Sequence, residues 1–216
     1  MKIIKYVLPI AILNLIAIVL ATLGLPDIVP LHISLDGTVN LYGSKWAIPL
    51  IGLIPISLVI LFDYFGDYFA KSIENKEIMD KLIPILAFFF MFIPWILVIM
   101  GYANSISLNR LVIIFISALL GVIFIIIGYL MLNVKQNNFM GFRNKWTLTN
   151  EIVWRKTNKL ASYLLLIGGS FILVSSIATL ITNNTAYVFV SLMIGILLIA
   201  IVPTVYSCYK FNNVNN

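Results

Sequence analysis

The sequence is poor in charge, cysteine and histidine. Only 10% of its 216 residues are charged, whereas a soluble domain carries about 25%. The single cysteine, Cys208, cannot form an intramolecular disulfide, and one cysteine with one histidine cannot complete a zinc site. The low charge therefore argues against a soluble domain, and these residue types predict no metal site.

Motifs that carry catalysis are also missing from the sequence. It contains no glycine-rich phosphate loop, no nucleophile elbow and no HExxH motif. We therefore expect no catalytic residues, no cofactor and no enzymatic activity. A proton-coupled transporter would keep ionisable side chains at membrane depth, and the middle of the apolar runs contains no carboxylate. A pathway for neutral solutes stays open.

Long apolar runs dominate the composition. Hydrophobic residues make up 62% of the chain, and a helix of about 20 apolar residues crosses a bilayer core of about 30 Å. Helices are expected because lipid leaves an unpaired backbone amide unsatisfied. The sequence thus predicts an all-α polytopic membrane protein, with one membrane domain over residues 1–216 and a six-helix transmembrane bundle. The predicted spans are 3–24, 46–62, 82–102, 111–132, 160–181 and 187–206.

Two of these runs need comment. The first is too long for the apolar region of a signal peptide, so we interpret it as a retained helix. The second is the shortest and can extend into the YFGDYF sequence that follows it. We expect the mixed-charge segment 63–81 to be a solvated extension of the neighbouring helices.

The positive charges predict an orientation. If the N-terminus is inside, twelve of the fourteen Lys and Arg residues lie on the cytoplasmic side, and only Lys45 and Arg110 lie outside. Both termini are therefore predicted to be cytoplasmic. The net charge of +6 then indicates contact with anionic lipid headgroups rather than direct nucleic-acid binding.

The loop at 25–45 is predicted to be an ordered extracellular loop. Prolines restrict its backbone, and LDG at 35–37 and YGS at 42–44 are typical of turns. His32 and Asp36 are too few for a metal site, so a hydrogen-bonded loop is favoured over a catalytic one. A recognition surface remains plausible, because ordered loops on rigid scaffolds often bind partners. The candidate residues are Pro26, Pro30, His32, Asp36, Gly37 and Lys45.

The loop at 133–159 is predicted to be cytoplasmic and holds six of the fourteen basic residues. Gly141 permits a sharp turn. Thr147 or Thr149 can cap a helix that begins at about 148 and lies on the membrane. Trp146 and Trp154 are expected at the membrane interface.

That helix would place three side chains on one side, namely Glu151, Trp154 and Asn158. Arg143 could reach Glu151 or a phosphate.

Polar and small residues inside the spans predict helix contacts. Asn14 is expected to form a hydrogen bond between helices. Pro49 and Pro55 make the second span the best candidate for a bend or a cavity. Gly121, Gly168 and Gly169 could allow close helix approach.

Both loops resemble the SdpI family of bacterial immunity proteins, over nearly the whole chain. The outer motif is matched by Pro26, Pro30, His32, Asp36, Gly37 and Gly43-Ser44-Lys45. The inner motif is matched by Asn138 or Asn137, Gly141, Arg143, Trp146, Thr147, Leu148, Glu151, Trp154, Thr157 and Asn158. The chain departs from the family pattern at Ile33, where an aromatic is usual, and at Asn144-Lys145, where Thr-Pro is usual.

The resemblance implies a multi-pass protein of the bacterial cell membrane that protects the cell against a secreted, membrane-active peptide toxin. Some members of the family also signal by holding a cytoplasmic transcriptional repressor at the membrane. Many relatives are encoded without an evident toxin. The alternatives are a membrane sensor without a toxin partner and a transporter of small solutes or lipids.

Overall fold

The structure, a computed structural model, describes residues 4–34, 36–103, 105–137 and 139–215 and is mainly helical. Six helical segments are long and apolar enough to cross a membrane, so the predicted polytopic helical fold is confirmed. These segments are α1 (Ile4–Leu23), the pair α2 (Ala47–Gly52) and α3 (Ile54–Ala70), α4 (Ile73–Tyr102), α5 (Ile106–Met131), α7 (Glu151–Thr182) and α8 (Ala186–Asn215). The remaining elements are β1 (Ile28–Ile33), β2 (Val39–Ser44) and α6 (Lys145–Thr149).

Several helices extend beyond the predicted spans. The α4 helix begins nine residues before the predicted start at 82, and α3 continues through the YFGDYF sequence to Ala70. Hydropathy marks only the part of a helix that lipid can surround, whereas backbone hydrogen bonds continue into the polar residues beyond it. The predicted helical character of 63–81 is confirmed, apart from the junction between α3 and α4, where Lys71 has a φ of 58°.

The prediction of a separate surface helix before the fifth span is wrong. The α7 helix runs without a break for 32 residues from Glu151. The short α6 helix precedes it, and Asn150 separates the two with an extended backbone.

The second span is interrupted at Leu53, where a bend was predicted. Pro55 has no N–H to continue the helical ladder. Pro55 thus leaves the Ile51 carbonyl without its helical donor. Beside this break the Leu53 N–H bonds to the Leu50 carbonyl at 3.2 Å, and regular bonding resumes with the Ser57 N–H on the Leu53 carbonyl at 3.0 Å.

The chain divides into two compact units, and the first comprises the described parts of 1–65 and 80–115. Its core contains Val7 and Ala11 from α1, Val59 from α3, and Ala87 and Met91 from α4. Within this unit, the Trp95 indole N–H donates to the Asn14 side chain at 2.8 Å. The predicted role of Asn14 as a hydrogen-bond partner between helices is confirmed.

The second unit comprises 66–79 and the described parts of 116–216. Two glycines bring α5 and α7 into close contact, because a Cβ on Gly121 would lie 2.9 Å from the carbonyl oxygen of Gly169. Ser117 and Ser176 form a 2.8 Å hydrogen bond between the same two helices. The predicted close approach is therefore confirmed for Gly121 and Gly169, whereas a Cβ on Gly168 would meet only Ile199, at 4.0 Å.

The loop at 25–45 forms an antiparallel hairpin of β1 and β2, which the all-α prediction did not include. The turn at its tip is confirmed by Gly37, which has a φ of 87° and donates its N–H to the Ser34 carbonyl at 3.0 Å. The predicted turn at 42–44 is wrong, since these residues belong to β2. The Ile28–Ile33 and Val39–Ser44 strands are short, and Pro30 lies within the first of them. Proline is unusual in a strand, so the sequence did not indicate one here.

Candidate functional site

The tip of the hairpin is attached to the beginning of α5. The buried Asn109 side chain donates a 2.8 Å hydrogen bond to the Gly37 carbonyl, and Arg110 Nε donates to the Asp36 carbonyl at 3.4 Å. Hydrogen bonds from the hydroxyl and the N–H of Thr38, with a smaller contribution from Arg110, lower the pKa of the Asp36 carboxyl. The tip is therefore held by backbone contacts, while the Asp36 side chain stays ionised and exposed at neutral pH.

The base of the hairpin is closed by Lys45 and packs against the end of α4. The Lys45 ammonium donates to the Leu25 carbonyl at 2.9 Å and pairs with Asp27 at 3.2 Å, and only 14% of its side chain is exposed. Leu25 and Val29 pack against Gly101, where an added Cβ would lie 2.8 Å from Leu25 Cδ2. Lys45 therefore holds the hairpin in place, and the loop is ordered as predicted.

His32 does not form a pair with Asp36. Its Nδ1 atom lies 2.6 Å from Oδ1 of Asn40 on the facing strand. Within the described ranges, no three His, Cys, Asp or Glu side chains converge as metal ligands. The hydrogen-bonded role that the sequence favoured for His32 is confirmed, with Asn40 as its partner.

The hairpin and the residue that follows it carry exposed apolar side chains. We call Ile28, Leu41, Tyr42 and Trp46 the hairpin surface; half or more of each side chain is exposed. Pro30 and Gly37 are buried, whereas Pro26, His32 and Asp36 are exposed. The predicted recognition residues are thus divided between the interior and the surface of the loop.

The segment at 132–150, which we call the inner segment, is held to the beginning of α4 by Asn75. This side chain is fully buried and pairs with the backbone of Lys135 in both directions: Lys135 N–H donates to Oδ1, and Nδ2 donates to the Lys135 carbonyl, each at 3.0 Å. Nδ2 also donates to the Ala70 carbonyl at 2.9 Å. One amide therefore joins the end of α3, the beginning of α4 and the inner segment.

We expect Asn75→Ala to loosen the inner segment. Removal of the amide leaves the Lys135 N–H and the Ala70 carbonyl without this partner, while the Lys135 carbonyl keeps the Asn137 amide. An unsatisfied buried group costs about 1–3 kcal/mol. Limited proteolysis of the purified protein should show faster cleavage between residues 132 and 144. Glu74→Gln is the control, because Glu74 pairs with Lys135 only at the surface, where an ion pair contributes little. Equal cleavage rates for the two variants would contradict this role of Asn75.

The inner segment is also held by two side chains of α7. The buried Trp154 indole donates its N–H to the Val134 carbonyl at 3.0 Å. The Phe142 N–H donates to Oδ1 of Asn158 at 2.6 Å. Gly141 lies against both side chains with a φ of 113°, and a Cβ there would be 2.6 Å from Asn158 Oδ1. The predicted turn at Gly141 is thus confirmed, and the close contact excludes a larger residue.

Asn137 closes a tight turn within the inner segment. Its Oδ1 accepts hydrogen bonds from the N–H groups of Phe139 and Met140, at 2.8 and 2.6 Å. Its Nδ2 donates to the carbonyls of Lys135 and Met140, at 2.8 and 2.9 Å. Asn138, the other candidate for this motif position, lies outside the described residues.

Asparagines, not threonines, cap the two helices that follow. Asn144 accepts from the N–H groups of Trp146 and Thr147 at the start of α6, and Thr147 Oγ1 accepts from the Asn144 N–H at 2.9 Å. Asn150 accepts from Ile152 and Val153 at the start of α7. The prediction that Thr147 or Thr149 caps this helix is wrong, although Thr147 completes the capping box of α6.

The inner motif residues separate into a buried and an exposed set. Thr147, Trp154, Thr157 and Asn158 are each at most 1% exposed. Arg143 and Glu151 are exposed, and Gly141 and Trp146 are half-buried. Glu151 lies one turn before Trp154 on the same side of α7, as predicted, but it is exposed there. Trp154 is buried within the protein, which contradicts the exposed interfacial position predicted for it.

Sequence reasoning missed several asparagines that hold both loops, above all Asn75 and Asn109. Asparagine is unfavourable inside a helix, because its side chain competes for backbone hydrogen bonds. An asparagine within the first turn of α4 and of α5 therefore indicated a side-chain hydrogen bond to the backbone. Its partners lie 60 and 72 residues away in sequence, so they could not be identified from local pattern.

These observations define a multi-pass α-helical membrane protein with an ordered hairpin. Its inner segment is held in place by hydrogen bonds from asparagine side chains. Residues 133–207 match the SdpI/YfhL protein family, and residues 10–55 match a domain of unknown function, DUF1648. The chain is 26% identical over 166 residues to Immunity protein SdpI of Bacillus subtilis (strain 168), covering 76% of this chain and 75% of that protein. No solved structure matches it. The chain is therefore similar to the SdpI family, and the matched residues 133–207 include the inner loop motif on which that resemblance was predicted.

Proposed function

We propose that the protein is an immunity protein of the bacterial cell membrane that protects the cell against a secreted, membrane-active peptide toxin by binding it rather than by catalysis. The similarity to Immunity protein SdpI supports this proposal. The observation that carries it is the hairpin surface, where apolar side chains project from a loop whose tip is hydrogen-bonded to α5 and whose base is closed by Lys45. A fixed apolar surface can bind an apolar peptide at a low cost in conformational entropy.

Leu41→Ser combined with Tyr42→Ser is expected to reduce protection without loss of the protein from the membrane. The substituted side chains are more than half exposed, so their contribution to folding is small. The assay expresses the chain in Bacillus subtilis cells that lack their own SdpI and measures survival in culture supernatant from the parent strain. If each of the two apolar side chains contributes about 1 kcal/mol to toxin binding, the toxin affinity should fall roughly thirtyfold. The double variant should then protect only at a correspondingly higher protein level or lower toxin concentration.

Leu148→Ser is the control for this assay, because Leu148 is also exposed but lies in the inner segment. Unchanged killing by the supernatant, with confirmed membrane insertion of the unsubstituted chain, would count against toxin protection. Full protection by the double variant would instead remove the hairpin surface from the proposal and leave protection itself intact.

The proposed orientation places both termini and the inner segment in the cytoplasm, with the hairpin outside. It is supported by the distribution of Lys and Arg. In a Cys208→Ser background, we expect a membrane-impermeant thiol reagent to label Asp36→Cys in intact cells and Lys145→Cys only after permeabilisation. The opposite labelling pattern would reverse the orientation.

A signalling role is a second proposal, in which the inner segment binds a cytoplasmic transcriptional repressor. It is supported by the exposed side chains of Arg143, Leu148 and Ile152, which lie at the end of α7 that carries the family motif. Trp154 is excluded from such a surface because it is buried. Arg143→Ala should abolish co-purification of the repressor with the membrane protein, whereas Lys71→Ala should not. Equal recovery would remove the inner segment from this role.

A further inference from the structure

An apolar groove runs between α7 and α8 in the second unit. It has a volume of 430 Å³, which falls within the range of about 300–1,000 Å³ typical of ligand sites. Ile201, Val205 and Tyr209 are each more than half exposed, so the groove opens to the surroundings of the protein. Its lining consists of Leu160 from α7 and Ile201, Val202, Val205, Tyr206 and Tyr209 from α8.

Two lysines lie at one end of this groove. Lys156 precedes Leu160 by four residues in α7, and Lys210 follows Tyr206 by four residues in α8. At 1.5 Å per residue, Lys156 lies about 6 Å before Leu160 along α7, whereas Lys210 directly follows the lining residue Tyr209 in α8. Because the consecutive helices α7 and α8 pack against each other, both lysines lie near the same end of the groove, and Arg155 precedes Lys156 in α7. The groove therefore leads to a concentrated positive charge.

This charge is not balanced by the neighbouring side chains. Lys45, Lys76 and Lys135 are among the lysines that form ion pairs, whereas neither Lys156 nor Lys210 forms one with the described residues. Two like charges at short range repel each other, and an anion placed between them removes the repulsion. An anion with an apolar chain would also cover the exposed groove.

We propose that the groove binds an acyl chain of an anionic phospholipid whose phosphate lies between Lys156 and Lys210. A phosphate offers oxygen acceptors to both ammonium groups, and the apolar lining accepts the chain. A free phosphate would neutralise the lysines but leave the groove uncovered. A zwitterionic lipid would fill the groove but bring its own cation to the lysines. The site depends on these contacts alone and not on protection against a toxin.

Lipid binding to the purified full-length chain tests this site. The delipidated protein in a neutral detergent is titrated with phosphatidylglycerol or with phosphatidylcholine of the same acyl chains, and binding is followed by native mass spectrometry. We expect phosphatidylglycerol to bind at least roughly tenfold more tightly, because each lysine near a surface favours an anionic lipid. Lys156→Gln combined with Lys210→Gln should abolish this preference.

A matched control changes the net charge by the same amount elsewhere. Lys71→Gln combined with Lys145→Gln removes two exposed lysines that do not border the groove and should preserve the preference. Equal binding of the two lipids, or an unchanged preference in the Lys156 and Lys210 variant, would overturn the proposal. Size-exclusion profiles confirm that each variant remains folded.

A second variant tests the groove separately from the charges. Val205→Trp fills the groove and is expected to weaken phosphatidylglycerol binding by roughly tenfold, since the chain loses its apolar contacts. Val190→Trp is the control, because Val190 is exposed on the same helix but does not line the groove. If Val205→Trp has no effect, or if inorganic phosphate competes as strongly as the lipid, the site binds a simple anion and the acyl-chain proposal fails.

Discussion

Gly169→Ala is expected to destabilise the protein, whereas Gly168→Ala next to it should be neutral or stabilising. A Cβ at position 169 would lie 2.6 Å from the Gly121 carbonyl oxygen and 2.9 Å from the backbone nitrogen of Ile125. Both atoms belong to the backbone of α5, so the helices must move apart. Overpacking of this kind costs about 1–3 kcal/mol, while Gly→Ala by itself favours a helix by about 1 kcal/mol.

Thermal unfolding of the purified protein in detergent measures this difference. The melting temperature should fall for Gly169→Ala and stay level or rise for Gly168→Ala, where the new methyl group meets only Ile199 at 4.0 Å. Gly121→Ala should also lower it, because its Cβ would lie 2.9 Å from the Gly169 carbonyl oxygen. Equal shifts at 168 and 169 would show that α5 and α7 do not approach closely here.

Trp154→Ala is expected to cost about 3–5 kcal/mol of the free energy of unfolding, in line with other large-to-small changes at buried aromatics. Trp154 is 1% exposed and its indole N–H is bonded to the Val134 carbonyl. Trp146→Ala is the matched control. Trp146 is half-buried and its ring lies 4.9 Å from the Lys145 ammonium group, so its removal should have a much smaller effect.

Denaturant titration monitored by circular dichroism gives the two free energies. Trp154→Phe then separates the hydrogen bond from the packing, because the phenyl ring keeps most of the buried area but leaves the Val134 carbonyl without its donor. We expect an intermediate loss of about 1–3 kcal/mol. A smaller loss for Trp154→Ala than for Trp146→Ala would mean that Trp154 is at the surface, as the sequence alone suggested.

The spans were predictable because lipid imposes a simple requirement. A crossing segment must be long, apolar and helical, and each of these properties is visible in a local window of sequence. The helix contact at Gly121 and Gly169 and the break beside Pro55 were also predictable, since a missing side chain and a missing N–H have direct local effects. The extent of α4 and α7 was not, because polar residues outside lipid continue a helix without a hydropathy signal.

The two loops were harder to predict. Their motifs were visible, and Gly37 and Gly141 marked turns correctly. The hairpin strands are too short for alternation to be distinguished from a loop. The partners of Asn75, Asn109 and Trp154 could not be foreseen, because a side-chain amide or indole can bond to any carbonyl that the fold brings within reach.

The amino-acid sequence alone determined that this protein has six segments long and apolar enough to cross a membrane and that it resembles the SdpI family, because hydropathy and motif spacing are local properties of the chain. Only the tertiary structure decided which motif residues are buried and stabilise the fold, and which are exposed and available to a partner. Trp154 and Glu151 stand three residues apart on one helix, yet one is enclosed by the inner segment and the other is exposed. Burial depends on what packs against a helix face, and segments distant in sequence supply that packing.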